Sequence, residues 1–367
     1  VKTPNGFEII EQFEKWAPKH LALEGDPIGL QIGSLDKPVN RVLVTLDVNE
    51  EVADEAIEKK AELIICHHPP LFRPLKTVRT DQPQGALLEK LIKHDIAVYA
   101  AHTNLDVAEG GVNDMFAEAL GLTDTKVLVP TYEEELVKLG VFVPESHEEA
   151  LREALGKAGA GTIGDYEYCS YTLSGTGRFR PTEAAHPYLG EAGKLEVTHE
   201  SKIEVVLRKH DTNRVVKAMI AAHPYEEPAY DIFTLANREK EMGLGRVGML
   251  KNSMLLREFI EIVKKQLNVP AVRIVGDPDQ EVKKVAVLGG DGNKYVQAAK
   301  FAGADVYVTG DLYYHTAHDA RALGLAVIDP GHNTEKIMMK GVADRFNGKW
   351  ACEFIPSDVN TEPFMFK

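Results

Sequence analysis

The sequence predicts an α/β fold. Two similar α/β halves build one domain, and a ferredoxin-like α+β domain is inserted between them. Two observations carry this. Short apolar runs alternate with helical patterns at both ends of the chain, in the same order, roughly 240 residues apart. The middle reads instead as β-α-β, β-α-β, the split ferredoxin-like pattern. The boundaries that follow are 1–128 for the first half, 129–238 for the insertion and 239–367 for the second half.

Residues 7–20 place Phe7, Ile9, Ile10, Phe13 and Trp16 at helical spacing, closed by Pro18. Asp26–Gly33 reads as a turn and a short strand. Arg41–Asp47 is a strand, 50–61 a helix and Leu63–Cys66 a second strand, a βαβ unit that favours parallel pairing. A helix over 84–94 leads to the strand Ile96–Ala101. At the far end, strand Lys284–Leu288, helix 293–302, strand Ala304–Thr309, helix 315–323 and strand Leu325–Asp329 repeat that order. Val42–Cys66 lies on Val285–Thr309 without a gap, with Glu62 on Asp305, and a shorter offset places Asp106 on Glu335. The alternative is two ordinary βαβ units that merely look alike. In the middle, strands are expected over 135–143, 165–173, 202–207 and 229–235, with helices over 146–158 and 211–222.

The formal net charge of −14 argues against general binding to nucleic acid or an anionic membrane. Three scattered cysteines (Cys66, Cys169, Cys352) make a disulfide framework improbable. With no long apolar run and no signal-like start, the expected location is the cytoplasm.

The chemistry concentrates at three strand ends: His67-His68 before Pro69-Pro70, His102-Thr103-Asn104-Leu105-Asp106, and His332-Asn333-Thr334-Glu335. Neighbouring strand residues face opposite ways, so the two histidines share a site only where the strand has ended, and the prolines end it. Ligands of open α/β sheets gather beyond the carboxyl ends of strands. Three imidazoles and two carboxylates (His67, His68, His332, Asp106, Glu335) suit zinc, iron or manganese better than calcium or magnesium. One four-coordinate ion leaves a ligand over, whereas two bridged ions use all five. The halves would thus form one metal-binding domain.

These stretches resemble the NIF-three-like dinuclear-metal-centre family, many members of which carry the label GTP cyclohydrolase I type 2 homologue. The matching segments are Gly29–Gly33, Cys66–Pro69, Ala101–Asp106, Gly243–Gly248, Thr309–Asp311 and Gly331–Glu335. The resemblance implies two metal ions per subunit on His67, His68, Asp106, His332 and Glu335, inside a ring-shaped homohexamer. Many relatives carry Trp-Asp-Asn where this chain has Gly25-Asp26-Pro27, which puts a substrate contact from that turn in doubt. The insertion is similar in topology to trimeric PII and CutA-like proteins, which implies oligomer contacts or a small-molecule effector.

Two functions follow as expectations. The first is a metal-dependent hydrolase acting on a nucleotide-like small molecule, with Glu335 or His102 managing protons. The second is a non-catalytic regulatory or scaffold ring whose insertion senses a small molecule or binds a partner. Asp311 and His315 either reach the crevice or are solvated loop residues. Gly243–Gly248 matches GxGxxG but lacks the strand-to-helix setting of a dinucleotide site. Ser174–Arg180 reads as a flexible loop, with anion binding as the alternative. His223-Pro224-Tyr225-Glu226-Glu227 reads as a structural turn.

Overall fold

The computed structural model describes residues 2–365, apart from the side chains of 238–240. Residues 1, 366 and 367, which the sequence-based boundaries include, lie outside the described residues. The chain opens with α1 (Gly6–Trp16), β1 (Gly29–Ile32), β2 (Arg41–Thr45), α2 (Glu50–Glu58) and β3 (Leu63–Cys66). It continues through α3 (Pro83–Lys93), β4 (Ala97–Ala100), α4 (Thr103–Val107) and α5 (Val112–Ala119). Strand β5 (Thr123–Pro144) leads into α6 (Glu148–Lys157), β6 (Tyr171–Phe179), β7 (Glu196–Arg208) and α7 (Thr212–Ala222). Strand β8 (Tyr230–Leu255) leads out to α8 (Leu256–Gln266), β9 (Arg273–Val275), β10 (Glu281–Asp291) and α9 (Val296–Phe301). The last elements are β11 (Val306–Gly310), α10 (Tyr314–Ala322), β12 (Ala326–Asp329), α11 (Ile337–Phe346) and β13 (Glu353–Pro356).

The result is a mixed α/β fold with two sheets. It divides into two compact units, one built from residues up to Tyr132 and from Met242 onward, the other Glu133–Glu241. The sequence-based boundaries fall a few residues before these divisions.

In the first unit β2, β3 and β4 run parallel, with β1 antiparallel beside β4 and β13 parallel beside β2. Strands β10, β11 and β12 repeat the arrangement, with β9 antiparallel beside β12 and β8 antiparallel beside β10. The repeat reaches single hydrogen bonds. Val42 faces Leu63 as Val285 faces Val306. The Glu62 carboxylate accepts from the amides of Asn40 and Arg41, as the Asp305 carboxylate does from those of Lys283 and Lys284. Both halves contribute to one core: Val42, Val44, Leu63 and Ile65 belong to the same buried cluster as Val285, Val287, Val306 and Val308. Leu43, Ile64 and Val98 face the other way, onto Ala53 and Ala56 of α2 and Leu88 and Leu91 of α3. Burial on both faces is why these strands read as continuous apolar runs.

Local chemistry explains the boundaries. Asn5 caps α1, accepting from the Phe7 amide while Glu8 accepts from the Asn5 amide. The helix stops at Trp16, short of the expected 20, because Pro18 cannot donate into the next turn.

In the second unit the strand order is β6-β7-β5-β8. Leu151 and Leu155 of α6 and Val215 and Met219 of α7 share a core with Leu139, Val141, Ile203 and Val205. Two expectations need correction here. The strand expected over 165–173 lies at Tyr171–Phe179, and Ser174–Phe179, expected as a loop, pairs residue by residue with β7 from Ser201 to Glu196. Cross-strand pairing wins over the glycines' turn tendency because β7 starts earlier than its apolar pattern indicates.

The GxGxxG stretch lies inside β8. A side chain at Gly243 would come within 2.0 Å of the Val129 carbonyl oxygen, and one at Gly248 within 2.9 Å of that of Thr123. The motif therefore serves close strand packing. Arg246, between the glycines, is buried in a two-pronged ion pair with Asp114. Among the described residues no helix is long and apolar enough to cross a membrane.

Candidate metal centre

Three strand ends of the first unit converge. Strand β3 finishes at Cys66, and His67 and His68 continue it only through their amides, which donate to the carbonyls of Thr45 and Leu46. After β4 the chain turns at His102 into α4, which carries Asp106. After β12 a single 3₁₀ turn, His332–Lys336, carries His332 and Glu335. His67 Nε2 lies 3.5 Å from Asp106 Oδ1 and 3.8 Å from Glu335 Oε1. His68 Nε2 lies 3.0 Å from Glu335 Oε2, His332 Nε2 lies 3.2 Å from that oxygen, and the two imidazole nitrogens are 3.3 Å apart. The five residues expected from the sequence are thus brought together in two groups, His67-Asp106-Glu335 and His68-His332-Glu335, each with the geometry to hold a metal ion.

The other nitrogen of each ring is engaged. His67 Nδ1 donates to the Ala101 carbonyl at 2.9 Å, which leaves Nε2 with its lone pair outward. His68 Nδ1 meets Asp47 and His332 Nδ1 meets Asp311, both at 2.7 Å. Such partners fix ring orientation and tautomer in metal sites. His67 Nε2 and Asp106 Oδ1 are buried without a hydrogen-bond partner among the described residues. Leaving them so costs roughly 1–3 kcal/mol each, and a divalent cation satisfies both. The donor set fits a borderline transition metal.

The electrostatics agree. Burial alone pushes Glu335 up, but His67, His332 and His68 outweigh it and hold the carboxyl well below its ordinary value. Burial, reinforced by Glu335, pushes Asp106 up to about 6. Burial opposes a charge on His68, yet its hydrogen bonds to Asp47 and Glu335 carry it up to about 10. The bond to Glu335 outweighs burial at His332 and carries it up to about 9. Without metal, the cluster gathers protons where it has room for cations.

The backbone makes space for the shared carboxylate. Gly290 has φ +63°, and a side chain there would stand 2.7 Å from Glu335 Oε1 and 3.3 Å from His332 Nε2. Buried Asn113 joins the halves, donating to the Asp106 carbonyl and accepting from the Gly289 amide, both at 3.0 Å.

His102 stands beside this centre, its ring 5.1 Å from that of His67 and 5.7 Å from that of His68. Its Nδ1 is 2.9 Å from Asp26, whose other oxygen takes the Thr103 amide and hydroxyl. The aspartate of the divergent Gly25-Asp26-Pro27 turn therefore braces His102 and the start of α4. Asp311 reaches the centre through His332, whereas His315 is exposed on α10 against Tyr314. Asp47 is the residue sequence reasoning missed. It follows an apolar strand by two positions, and no local pattern marks it. A cleft of about 1000 Å³ opens over the centre, lined by His68, His102, His332, Phe72, Arg273 and Phe364 among others.

Comparison with known proteins assigns the chain to a family. The chain is 57% identical over 370 residues to the GTP cyclohydrolase 1 type 2 homolog of Bacillus subtilis, covering 100% of this chain and 99% of that protein. It is 36% identical over 366 residues to the homolog of the same name from Staphylococcus epidermidis, covering 98% and 99%. The crystal structure of a Bacillus cereus protein related to NIF3 superposes with a TM-score of 0.92 at 54% identity over 100% of both chains. A Staphylococcus aureus protein superposes with a TM-score of 0.79 at 31% identity, again over 100% of both. The Duf34/NIF3 (NGG1p interacting factor 3) family pattern spans residues 4–363, and the chain belongs to that family.

Proposed function

We propose that the chain is a metal-dependent hydrolase with two divalent ions per subunit, acting on a nucleotide-like substrate. The observation that supports this most is the two-sided use of Glu335: one carboxylate oxygen faces His67 and the other faces His68 and His332. A carboxylate so placed could serve two divalent ions at once, one through each oxygen. Zinc, iron or manganese held there would supply Lewis acidity, lowering the pKa of water toward about 7 and polarising a phosphoryl group or ring carbon.

The chain's own residues have distinct parts in this reading. His67, His68, Asp106, His332 and Glu335 hold the metals, and Asp47 and Asp311 keep two of the rings in register. His102, with Nδ1 engaged by Asp26, keeps Nε2 for moving a proton to or from substrate. Phe72 and Phe364 offer exposed ring faces to a base, and Arg273 at the cleft edge, ion-paired through one nitrogen with buried Asp329, offers the rest of its guanidinium to a phosphate. The relatives' name, GTP cyclohydrolase 1 type 2 homolog, is compatible with a nucleotide. The reading extends to an inserted ferredoxin-like, PII/CutA-like domain at 129–238, a homohexamer and a cytoplasmic location.

The test is turnover. Protein stripped of metal and reloaded with zinc, iron or manganese is assayed against GTP, other nucleotides and simple phosphoesters. Activity that returns with one metal and is lost in Glu335→Ala supports the proposal. No turnover with any metal, in protein that holds two ions, rejects hydrolysis.

A further inference from the structure

Two stretches of the second unit that look unremarkable singly, Ser174–Arg180 and His223–Glu227, meet at one pocket of about 370 Å³. Its walls are aromatic: Phe142 from β5, Phe179 from β6, Tyr225 from the turn after α7, and Tyr188 from the 180–195 connection. Tyr225 lies with ring centroids 5.9 Å from Phe179 and 6.2 Å from Tyr188. Against these rings sits the carboxylate of Glu200, a residue only 9% exposed, which accepts a hydrogen bond from the Tyr225 hydroxyl at 2.9 Å.

The pocket is built. A side chain on Gly177 would come within 2.0 Å of Glu200 Oε2, so the glycine of β6 is what lets the carboxylate lie across the strand. His223 sets the turn with both nitrogens: Nε2 donates to the Phe142 carbonyl at 2.8 Å and Nδ1 accepts from the Tyr225 amide at 3.0 Å. Burial keeps that imidazole below its ordinary pKa and so neutral, which removes it as a competing cation. The His186 amide donates to Glu226 at 3.0 Å and ties the Tyr188 connection to the same turn. Burial and the neighbouring Glu200 hold the Tyr225 phenol well above its ordinary value, so it stays a donor.

The charge balance selects the ligand. Glu200, Glu226 and Glu227 line the pocket together with Arg178 and Arg180. Three carboxylates stand against two guanidiniums, which leaves the lining a negative excess. A ring of aromatic faces around an acidic group binds ammonium ions, because the negative ring face and the carboxylate both attract a cation that sheds its water.

We infer that this pocket is a binding site for a small organic cation, an alkylated or primary ammonium seated between Tyr188, Tyr225 and Phe179 on the Glu200 carboxylate. The site lies in the second unit, uses none of the candidate metal ligands and does not depend on the function proposed for them.

Calorimetric titration of the full chain with choline and with putrescine, and with acetate as the anionic control, tests this. Saturable binding of at least one cation and none of acetate is expected. Glu200→Gln should weaken it by tenfold or more, Tyr188→Ala by roughly tenfold, and His332→Ala should leave it unchanged. If Glu200→Gln fails to fold by circular dichroism, Tyr188→Ala decides, because Tyr188 is 52% exposed and its loss is tolerated. Binding of neither cation, or cation binding equal in wild type and both pocket variants, overturns the inference.

Discussion

His68 and His332 present imidazole nitrogens 3.3 Å apart over one Glu335 oxygen, and without metal both rings are pushed up, to about 10 and about 9. Their folded values exceed the unfolded one, so the metal-free protein gains stability from them that is fully present below about pH 6.5. It is lost as pH rises through about 9 to 10. Metals need the neutral rings, so loading at pH 7 must release protons. Calorimetry in buffers of different ionisation enthalpy should show buffer-dependent heats, and affinity should weaken as pH falls. Equal heats in all buffers would contradict the assignment of these two rings as ligands. Asp47 and Asp311 act one bond further out. Asp47→Asn and Asp311→Asn should each weaken metal binding about 10- to 100-fold, read by competition with a chelator, while the circular dichroism spectrum stays that of wild type.

The repeat makes predictions at the level of the elements. Glu62 and Asp305 each receive two consecutive backbone amides, at the start of β2 and within β10. Replacing either with alanine should cost about 1–2 kcal/mol, and urea unfolding should give similar losses for the two. A large disparity would mean that the halves do not share the role. Gly290, the last residue but one of β10, is in the left-handed region beneath the shared carboxylate. Gly290→Ala adds strain of about 1–2 kcal/mol and displaces Glu335, so metal content should fall below two ions per subunit in protein that is still folded. Retention of two ions would show that the carboxylate does not depend on that space. The strand ends were legible because prolines, glycines and apolar runs are local signals. Strand β6 was misplaced by several residues because its limits are set by pairing with β7, which lies at least 17 residues further on in the sequence.

For the molecule as a whole, the five candidate metal ligands come from both ends of the chain but from one compact unit. Metal should therefore stabilise that unit, by about 2.7 kcal/mol at a hundredfold excess over Kd. Scanning calorimetry should show one transition raised by zinc or manganese, with His332→Ala removing most of the shift. An equal rise in the variant would show that His332 is not a ligand. The sequence alone determined the family, the α/β class, the order of the repeat and the five residues that meet. These are written in contiguous motifs and in periodicities that local chemistry imposes. Tertiary structure alone decided that Glu335 faces two histidine groups, that Asp47 and Asp311 brace the rings, and that two unrelated stretches enclose the pocket around Glu200. Each of these depends on residues that fall within hydrogen-bonding distance only after distant strands have packed.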